Sequence, residues 1–359
     1  MQNRMTVKKS DIDFNVKSVI DYVKTPVIAV VKCNGYGISM EYAIKAWYEN
    51  GVRFFAVSEP IEALQIRELG YSDVDILLMS PVYDEDILKK LLQNNVILTV
   101  TSKQCAMTAT SVGDYNVRAH VKVETGMGRF GAGYDAVDEL EAIYNVKGIK
   151  YEGIFSHFAL SFEKEYNQTK VQLDKFLQAV KHLQDRGIDV GMRHIANSCA
   201  AIRFPDTRLD AVRVGSALVG RLITKTALPL RKVGFMEADV VDITTLKKGQ
   251  TSGYSMLYRA KSDVTAAVIS LGYRQGLGLT RQNDSFRFID VIRSVYHDIR
   301  GYKKQPVVKI NGKSYNVLGR VGNQYTLIDV SGSDVRIGDK AVCDVNVLMV
   351  DTAVERALI

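Results

Sequence analysis

The sequence has few cysteines and no long apolar run, and these absences exclude whole classes of protein. Its four cysteines, Cys33, Cys105, Cys199 and Cys343, are far apart and form neither a CxxC pair nor the dense pattern of a disulfide-stapled domain. No apolar run approaches the ~20 residues that a membrane helix requires. Residues 1–5 lack the apolar core of a signal peptide. We therefore expect a cytoplasmic protein with reduced thiols and no membrane partner.

A marked excess of charge of one sign is also missing. The 359-residue chain has 47 lysine and arginine residues against 40 aspartate and glutamate residues, which gives a formal net charge of +7. A nucleic-acid-binding protein would interleave aromatic with basic residues or carry a docking motif, and the sequence has neither pattern. We therefore predict no nucleic-acid partner, and we also predict no metal site.

The chain has no internal repeat, low-complexity segment or proline-rich linker, so its organisation is read from length and periodicity. With 359 residues, 47% of them hydrophobic and 24% charged, it has the composition of an ordinary globular protein and the length of two domains. The first periodic stretch, Ser10 to Lys24, predicts a helix that Ser10 caps and that buries a broad apolar face.

From Val27 onward, short β-rich runs alternate with amphipathic stretches of helical period. The predicted strands are Val27–Val31, Phe54–Val57, Ile76–Met79, Val96–Val100, Val117–Val123, Gly153–Phe155, His194–Ala196 and Ala211–Val214. The predicted helices among them are Glu41–Glu49, Glu59–Leu69, Asp84–Gln93, Ala136–Tyr144 and Gln168–Gln184. Eight strands alternating with helices indicate an α/β fold of the TIM type, a (β/α)8 barrel, which we assign to residues 10–225. A doubly wound open sheet is the alternative, because periodicity does not reveal closure.

The sequence pattern changes near Leu228. Short runs with little helical period follow, joined by turns that contain glycine, asparagine or aspartate: Val240–Ile243, Ala266–Ser270, Val307–Ile310, Ser314–Leu318, Tyr325–Val330 and Lys340–Val347. Asn311-Gly312 is a strong signal for a two-residue hairpin. We therefore predict a C-terminal antiparallel β domain over residues 226–359, with residues 1–9 as a candidate additional strand of it.

The most informative stretch is the first predicted barrel strand and the turn after it. Five apolar residues, Val27–Val31, run into Lys32, and a glycine-bearing polar turn, 33–37, follows at once. A lysine at the rim of a barrel suits Schiff-base chemistry, because desolvation lowers the ammonium pKa and the neutral amine is the nucleophile. Alone the signal is weak, since a lysine at such a position is more often a solvated strand end.

Other predicted strands also end in polar side chains, and functional residues of a barrel cluster at these C-terminal ends. The fifth to eighth strands deliver Lys122 and Arg129, His157, Asn197-Ser198, and Arg213 with Gly215-Ser216. The last two ends suit an anion, because barrels often bind phosphate there through backbone N–H groups at a helix N-terminus. A phosphate site and a rim lysine together indicate pyridoxal 5′-phosphate (PLP).

Several separated motifs carry a family resemblance over residues 4–350. In chain order they are 30–37 (VVKCNGYG), 123–131 (VETGMGRFG), 156–159 (SHFA), 196–198 (ANS), 212–215 (VRVG), 253–255 (GYS), 272–273 (GY) and 319–321 (GRV). On these motifs the chain resembles the alanine racemases, PLP enzymes built from an α/β barrel and a β domain. The resemblance implies an isomerase that interconverts L- and D-alanine by a two-base mechanism and works as a homodimer.

The resemblance assigns the cofactor residues. Lys32 would bind PLP covalently, and Tyr36, Ser198, Gly215 and Ser216 would hold its phosphate, with Asn197 beside them. His157 would lie near the cofactor ring, and Arg213 would donate to its pyridine nitrogen. Because a guanidinium keeps its proton, that nitrogen would stay unprotonated and the ring would be a weaker electron sink.

The resemblance also assigns a second base and a substrate side. Tyr254, from the β domain of the partner subunit, would be the base opposite Lys32, since racemisation removes a proton from one face of Cα and returns it to the other. Arg129 would contact the phenolic oxygen of the cofactor and the substrate carboxylate. Lys122 matches a position that is carbamylated in many members. Substrate-binding positions of the β domain would be Tyr273, Asn323 and Gln324.

Three departures from the family pattern bear on the substrate and the phosphate. Gln275 stands where an Asp is usual, Asn323 and Gln324 stand where Met and Asp are usual, and residues 347–354 lack the usual C-terminal tyrosine. The side-chain preference therefore stays open among alanine, serine, both, or a broader set of amino acids. Two rivals also stay open. A PLP lyase or decarboxylase should lack the Tyr254 motif, and a non-catalytic PLP-binding barrel should lack the β domain.

Overall fold

The chain folds into two compact units. The computed structural model describes residues 3–162, 165–280, 288–301 and 306–359. The barrel unit is Lys9–Val233, and the β unit combines Met1–Lys8 with Gly234–Ile359. The boundary thus lies at Gly234 and not at residue 226. The reason is local hydrogen bonding, because the Asn15 side chain both donates to the carbonyl of Arg231 and accepts its N–H, each at 2.7 Å, which fixes this segment to the barrel unit.

The barrel unit contains eight parallel strands that close on themselves. They form two sheets, in the orders β10-β2-β3-β4 and β5-β6-β8-β9. Parallel bridges between Leu77 and Ile97 and between His194 and Ala211 join the sheets at both edges, so the predicted barrel is confirmed and the open sheet is excluded. After β1 (Arg4–Val7) in the β unit, the strands are β2 (Val27–Val30), β3 (Phe54–Val57), β4 (Asp75–Leu78), β5 (Leu98–Val100), β6 (Val117–Glu124), the short β7 (Ala132–Gly133) beside β6, β8 (Ile149–Phe155), β9 (Met192–His194) and β10 (Val212–Val214).

Helices follow the barrel strands, and three of them, α5, α6 and α9, begin at a side chain that caps the first turn. Asp84, Ser102 and Asn197 each accept a backbone N–H three residues further on, at 2.9–3.1 Å. The helices are α1 (Lys9–Val23), α2 (Cys33–Tyr36), α3 (Met40–Glu49), α4 (Pro60–Glu68), α5 (Glu85–Gln93), α6 (Lys103–Ser111), α7 (Val137–Tyr144), α8 (Asn167–Asp185) and α9 (Ser198–Arg203). Apart from α2, which lies in the predicted polar turn, two of these helices, α6 and α9, were not predicted. The buried face of α6 consists of small side chains, and five of the six α9 residues are buried, so neither shows a strong apolar period.

The β unit is built on one sheet in which most neighbours are antiparallel, as predicted, and β12 and β13 form a separate antiparallel pair. The order of the main sheet is β16-β15-β18-β11-β1-β19, and β14 pairs with both β11 and β17. The exception is β1, which lies parallel to β19 and antiparallel to β11. The strands are β11 (Phe235–Leu246), β12 (Thr251–Ser252), β13 (Tyr258–Arg259), β14 (Val264–Ile269), β15 (Val307–Ile310), β16 (Lys313–Asn316), β17 (Thr326–Asp329), β18 (Lys340–Cys343) and β19 (Glu355–Leu358).

Two local features of the β unit bear on the sequence predictions. Asn311 and Gly312 have φ of 50° and 78° and join β15 to β16, which confirms the predicted two-residue hairpin. Helix α10 (Phe288–Gly301) was not predicted, and the apolar side chains described for it are largely exposed. Within the described ranges, no helix combines the length and the hydropathy needed to cross a bilayer.

Candidate active site

Lys32 lies at the rim of the barrel, immediately before a strained turn. It ends the β2 segment with extended backbone, φ −152° and ψ 163°. The next four residues, Cys33, Asn34, Gly35 and Tyr36, all have φ between 50° and 65°, so α2 is a single left-handed turn. Each non-glycine residue in this conformation costs about 1–2 kcal/mol, and such strain is typical of functional sites. The turn closes with a 2.8 Å hydrogen bond from the Tyr36 N–H to the Lys32 carbonyl.

The turn is tied at both ends by side-chain oxygens. At its exit, Asn34 Oδ1 accepts the Met40 N–H at 2.8 Å. At its entry, Glu62 Oε1 accepts the Cys33 N–H at 2.9 Å. The turn brings the side chains on either side of it together, because Lys32 Nζ lies 5.9 Å from the centre of the Tyr36 ring.

Backbone N–H groups after β10 converge on two hydroxyl oxygens. Ser198 Oγ accepts the N–H of Gly215 at 3.0 Å and that of Ala217 at 3.5 Å. The Tyr36 hydroxyl accepts the N–H of Ser216. A Cβ atom at Gly215 would overlap the Tyr36 ring and hydroxyl, so this cradle requires glycine. Burial raises the pKa of the Tyr36 phenol, which therefore keeps its proton and can donate it to an anion.

Arg213 is a buried cation that donates to two imidazoles. Its side chain is 3% exposed, and Nη2 donates to the Ser156 carbonyl at 2.5 Å. Nη1 lies 2.6 Å from Nδ1 of His194, and Nη2 lies 3.3 Å from Nδ1 of His157. Since a guanidinium only donates, both imidazoles accept at Nδ1 and carry their proton on Nε2. His194 Nε2 then donates to His120 Nδ1 at 2.8 Å.

This network consists of neutral imidazoles around one positive charge. Burial and the charge of Arg213 hold the pKa of His157 and of His194 well below the usual range, and burial lowers the pKa of His120 to about 3. Burial also lowers the pKa of Arg213 to about 9, so it remains charged at neutral pH. Its Nε has no hydrogen-bond partner in the part of the chain that the structure describes, and it is free to donate to a further acceptor.

Lys122 is a buried amine whose charge is disfavoured. It is 3% exposed, and its Nζ donates to the Val123 carbonyl at 2.7 Å. Its pKa is lowered to about 7, mainly by burial and also by the positive charges of Arg213 and Arg129, against the opposing effect of Glu124. A large fraction of the side chain is therefore the neutral, nucleophilic amine at neutral pH.

Arg129 stands on a loop that Glu124 organises. The Glu124 carboxylate accepts the backbone N–H groups of Gly126, of Met127 at 2.5 Å and of Arg129 at 3.2 Å. These bonds lower the pKa of Glu124 despite its partial burial. The Arg129 side chain itself is exposed, and among the described residues it makes no direct hydrogen bond with Lys122.

The oxygen of Asn197 is already committed to protein groups. Its Oδ1 accepts the Ala200 N–H at 3.1 Å, which caps α9, and the Ser161 hydroxyl at 2.8 Å. Asn197 therefore fixes the start of α9 and, through it, the position of Ser198.

In the β unit, Tyr254 is presented to solvent. It opens a 3₁₀ turn, Tyr254–Met256, between β12 and β13, and its side chain is 72% exposed. Met256 and Leu257 beside it are also exposed. Gly253 and Ser255 have φ of 76° and 62°, so the turn has left-handed backbone on both sides of Tyr254.

Tyr273 and Asn323 lie on two loops of the β unit that are held edge to edge. The Tyr273 N–H donates to the Gly322 carbonyl at 2.9 Å, and the Arg274 N–H donates to the Asn323 carbonyl at 3.2 Å. A Cβ at Gly272 would overlap both of these carbonyls, which explains the glycine before Tyr273. Both predicted substrate residues therefore belong to one small surface.

The two glutamines at the family's acidic positions differ in environment. Gln275 is 4% exposed and its Oε1 accepts the Gly272 N–H at 2.9 Å, so it caps its own turn. Gln324 is exposed and lines a pocket of about 370 Å³ together with Arg274 and Tyr325. Within the described residues, no group of three or more His, Cys, Asp or Glu side chains could hold a metal ion.

Comparison with known proteins places this arrangement in a family. The model of the alanine racemase N-terminal domain matches residues 7–222, and that of the alanine racemase C-terminal domain matches residues 233–353. The chain belongs to the alanine racemase family.

Individual relatives agree over nearly the whole chain. Alanine racemase of Clostridium tetani is 30% identical over 340 residues, which cover 92% of this chain and 82% of that protein. Alanine racemase 2 of Caldanaerobacter subterraneus is 30% identical over 352 residues, 94% of this chain and 84% of that protein. The solved alanine racemase of Clostridium difficile 630 has the same fold, with a TM-score of 0.86 at 21% identity over 100% of this chain and 96% of that one. The Bacillus anthracis alanine racemase with bound L-Ala-P gives a TM-score of 0.80 at 25% identity over 98% and 92%.

Sequence reasoning missed several residues that organise this alanine racemase-family site. Glu62 lies within a helix, where a glutamate is common, His120 lies inside β6, and His194 is the last residue of β9, where the sequence predicted the start of a strand. A usable signal for the histidines was their scarcity: the chain has only five, and His120, His157 and His194 all fall on barrel strands or just after one.

The depressed pKa of Lys122 predicts a pH-dependent stability. Below pH 7 the lysine is charged in both the folded and the unfolded protein, so the full desolvation cost opposes folding. Between pH 7 and about 10.5 the unfolded state binds more protons than the folded state, so the free energy of unfolding rises with pH. We expect Lys122→Met to be more stable than wild type by about 1–4 kcal/mol at pH 6–7 and to lose this advantage as pH rises toward 10.

Chemical denaturation of the apo-protein in CO2-depleted buffer measures this difference at each pH. Lys150→Met, at an exposed lysine of β8, is the control and should show no such trend. A difference between Lys122→Met and wild type that stays constant from pH 6 to pH 10 would contradict the assignment.

Proposed function

We propose that the protein is a PLP-dependent alanine racemase whose two bases are Lys32 and Tyr254. The observation that carries the proposal is the rim of the barrel, where a lysine, a backbone cradle for an anion and a buried arginine with an uncommitted Nε–H come together. Membership of the alanine racemase family supports the same reaction.

The donor set fits PLP. Three consecutive backbone N–H groups, a buried neutral phenol and the Ser198 hydroxyl suit a phosphate, and the absence of a side chain at Gly215 lets the Tyr36 phenol approach these N–H groups. Lys32 is the amine for covalent attachment, and Arg213 Nε is the donor for the pyridine nitrogen. When bound, PLP supplies the electron sink that acidifies the Cα–H bond of an amino acid.

Arg213 would limit how strongly the bound cofactor withdraws electrons. A guanidinium does not release its proton to the ring nitrogen, which therefore stays uncharged. The network behind Arg213 favours the same state, because neutral His194 and His120 offer no acid to replace it. A weaker electron sink is sufficient for proton exchange at Cα. It disfavours decarboxylation and elimination, which require stronger electron withdrawal.

Racemisation requires a proton to leave one face of Cα and to return to the other, so we assign one base to each face. Lys32 serves the face on the side of its own strand. Tyr254 is the other base, and its exposed turn with Met256 and Leu257 suits insertion into the site of a second copy of the chain. We therefore propose a homodimer in which each site needs both subunits.

Arg129 is proposed to bind the substrate carboxylate, with Lys122 as its support. The neutral fraction of Lys122 can attack CO2 and form a carbamate, releasing one proton. The new group is an anion, which would replace a repulsive cation beside Arg129 by an attractive partner.

Lys32 is expected to be the single site of covalent PLP attachment. Borohydride reduction followed by peptide mapping should place the pyridoxyl group on Lys32, and the protein should convert L-alanine to D-alanine in chiral chromatography. Lys32→Ala should lose the pyridoxyl label and the racemase activity. Lys24→Ala, at an exposed lysine just after α1, should keep the label and the activity. A label on Lys122, or release of CO2 instead of D-alanine, would contradict the assignment.

Subunit complementation tests the shared site. Lys32→Ala and Tyr254→Phe should each be inactive, but equimolar mixing with full subunit exchange should restore about a quarter of wild-type activity, since half of the dimers hold one intact site. Native mass spectrometry verifies that mixed dimers have formed. Mixed dimers without activity would show that each chain builds its own site.

Serine is a second candidate substrate, and the environment of Asn323 favours it. The Asn323 side chain is exposed and, among the described residues, has no hydrogen-bond partner in its own loop. Its amide can both donate to and accept from a hydroxymethyl group, unlike the methionine usual in the family. Alanine should remain a substrate, because the Asn323 amide is exposed and can bind water when no hydroxymethyl group is present, so it is not left unpaired.

Asn323→Met is expected to lower kcat/KM for L-serine relative to L-alanine by up to about tenfold, the effect of one neutral hydrogen bond. Comparing the two ratios in wild type and variant measures it, with Asn311→Ala, in a distant hairpin of the same unit, as the control. An unchanged ratio would leave alanine as the simpler assignment.

A further inference from the structure

Glu62 is a buried carboxylate that joins two elements of the barrel rim. It lies in the first turn of α4 and is 8% exposed. Its Oε2 accepts the N–H of Glu59, the N-cap residue of α4, at 3.1 Å and that of the preceding Ser58 at 2.9 Å. Its Oε1 accepts the N–H of Cys33 at 2.9 Å. One carboxylate therefore ties the start of α4 to the residue that follows Lys32.

The Cys33 N–H is the donor that the left-handed turn itself cannot pair. Inside the turn, the Tyr36 N–H donates to the Lys32 carbonyl and the Gly37 N–H donates to the Cys33 carbonyl, at 2.8 and 2.9 Å. The Cys33 N–H precedes both bonds and needs an acceptor from elsewhere. Cys33 has φ of 50° and an exposed side chain, so neither the freedom of glycine nor packing holds it there. Glu62 supplies the missing restraint.

We propose that Glu62 is a positioning residue of the cofactor site: by holding the left-handed turn, it sets where the Lys32 amine lies relative to Tyr36 and the phosphate cradle. The turn connects Lys32 to Tyr36 along the chain. The Tyr36 hydroxyl in turn accepts the N–H of Ser216, which belongs to the phosphate cradle. Relaxation of the turn toward right-handed backbone would redirect both side chains. This inference rests on the proposed PLP function.

The role requires a carboxylate and not merely a polar side chain. Glutamine has one acceptor oxygen, and its NH2 group only donates. A glutamine oxygen can therefore accept from either the N–H groups before α4 or the Cys33 N–H. The glutamine NH2 group would then face the remaining N–H, which it cannot pair. The negative charge also lies at the N-terminus of α4, where the helix dipole favours it.

The test is Glu62→Gln, with Glu68→Gln as the matched control, because Glu68 is an exposed glutamate on the same helix. Apo-protein is titrated with PLP and binding is followed by protein fluorescence. We expect the dissociation constant of PLP to rise about tenfold or more for Glu62→Gln, the loss of a charged hydrogen bond, and to stay at the wild-type value for Glu68→Gln. The pH midpoint of the absorbance change of bound PLP should also shift, since it reports the surroundings of Lys32.

Two further variants separate positioning from helix capping. Glu62→Asp keeps the charge at the N-terminus of α4 but withdraws it from Cys33, so it should fold and still weaken PLP binding. Cys33→Gly removes the backbone strain, so Cys33→Gly combined with Glu62→Gln should bind PLP more tightly than Glu62→Gln alone.

Wild-type PLP affinity and an unshifted pH midpoint in both Glu62 variants would overturn the proposal. A loss that follows only the melting temperature of the apo-protein, with no recovery from Cys33→Gly, would also overturn it and leave Glu62 as a helix cap. A wild-type protein that binds no PLP would instead contradict the proposed function, and this inference with it.

Discussion

The buried guanidinium of Arg213 is the charge to which the rest of the barrel rim is adapted. From β10 it donates to the carbonyls of Ser156 and Ile195 and to the rings of His157 and His194, which follow or end two neighbouring strands. No carboxylate pairs with it in the described part of the chain, so the cost of burying the charge is offset by hydrogen bonds and by a cation–π contact with Phe155, whose ring centre lies 5.1 Å from the guanidinium carbon. Every group that faces it must therefore be an acceptor, which fixes both imidazoles as neutral and determines their tautomers.

Burial is the main cause of the low pKa of Lys122, and the charge of Arg213 adds to it. Two cations in one desolvated space repel each other, and the lysine, unlike the guanidinium, can release its proton. The low pKa of Lys122 and the retained charge of Arg213 are thus two consequences of one constraint. A site arranged in this way holds a fixed donor at Arg213 and a reactive amine at Lys122, without a metal ligand set among the described residues.

Much of this architecture could be predicted from sequence because it is repeated along the chain. The strands alternate with helices at a regular spacing, and the ends of the predicted strands pointed to Lys32, Ser198 and Arg213 as candidate site residues. What could not be predicted depends on contacts between distant segments. The link from Arg213 through His194 to His120 joins positions that only closure of the barrel brings together.

The domain boundary and the role of Asn197 were missed for a related reason. Residues up to Val233 belong to the barrel unit because Asn15 binds Arg231, a contact that composition does not reveal. Asn197 was expected beside the phosphate, but its oxygen caps α9 and accepts the Ser161 hydroxyl, so its effect on the cradle passes through Ser198. A motif indicates that a residue matters at a site, whereas its hydrogen bonds show which atoms it has left to offer a ligand.

That distinction also divides the substitutions that set this chain apart from the family pattern. Gln275 is buried and its oxygen is used by the Gly272 N–H, so its replacement of an acidic residue alters the construction of a turn and presents little to a substrate. Asn323 and Gln324 are exposed on the facing loop, where the backbone is fixed by Tyr273 and Arg274 while the side chains remain available. Any change in side-chain preference relative to other alanine racemases should therefore arise from positions 323 and 324, and the proposed chemistry at Lys32 can stay the same while the proposed substrate surface varies.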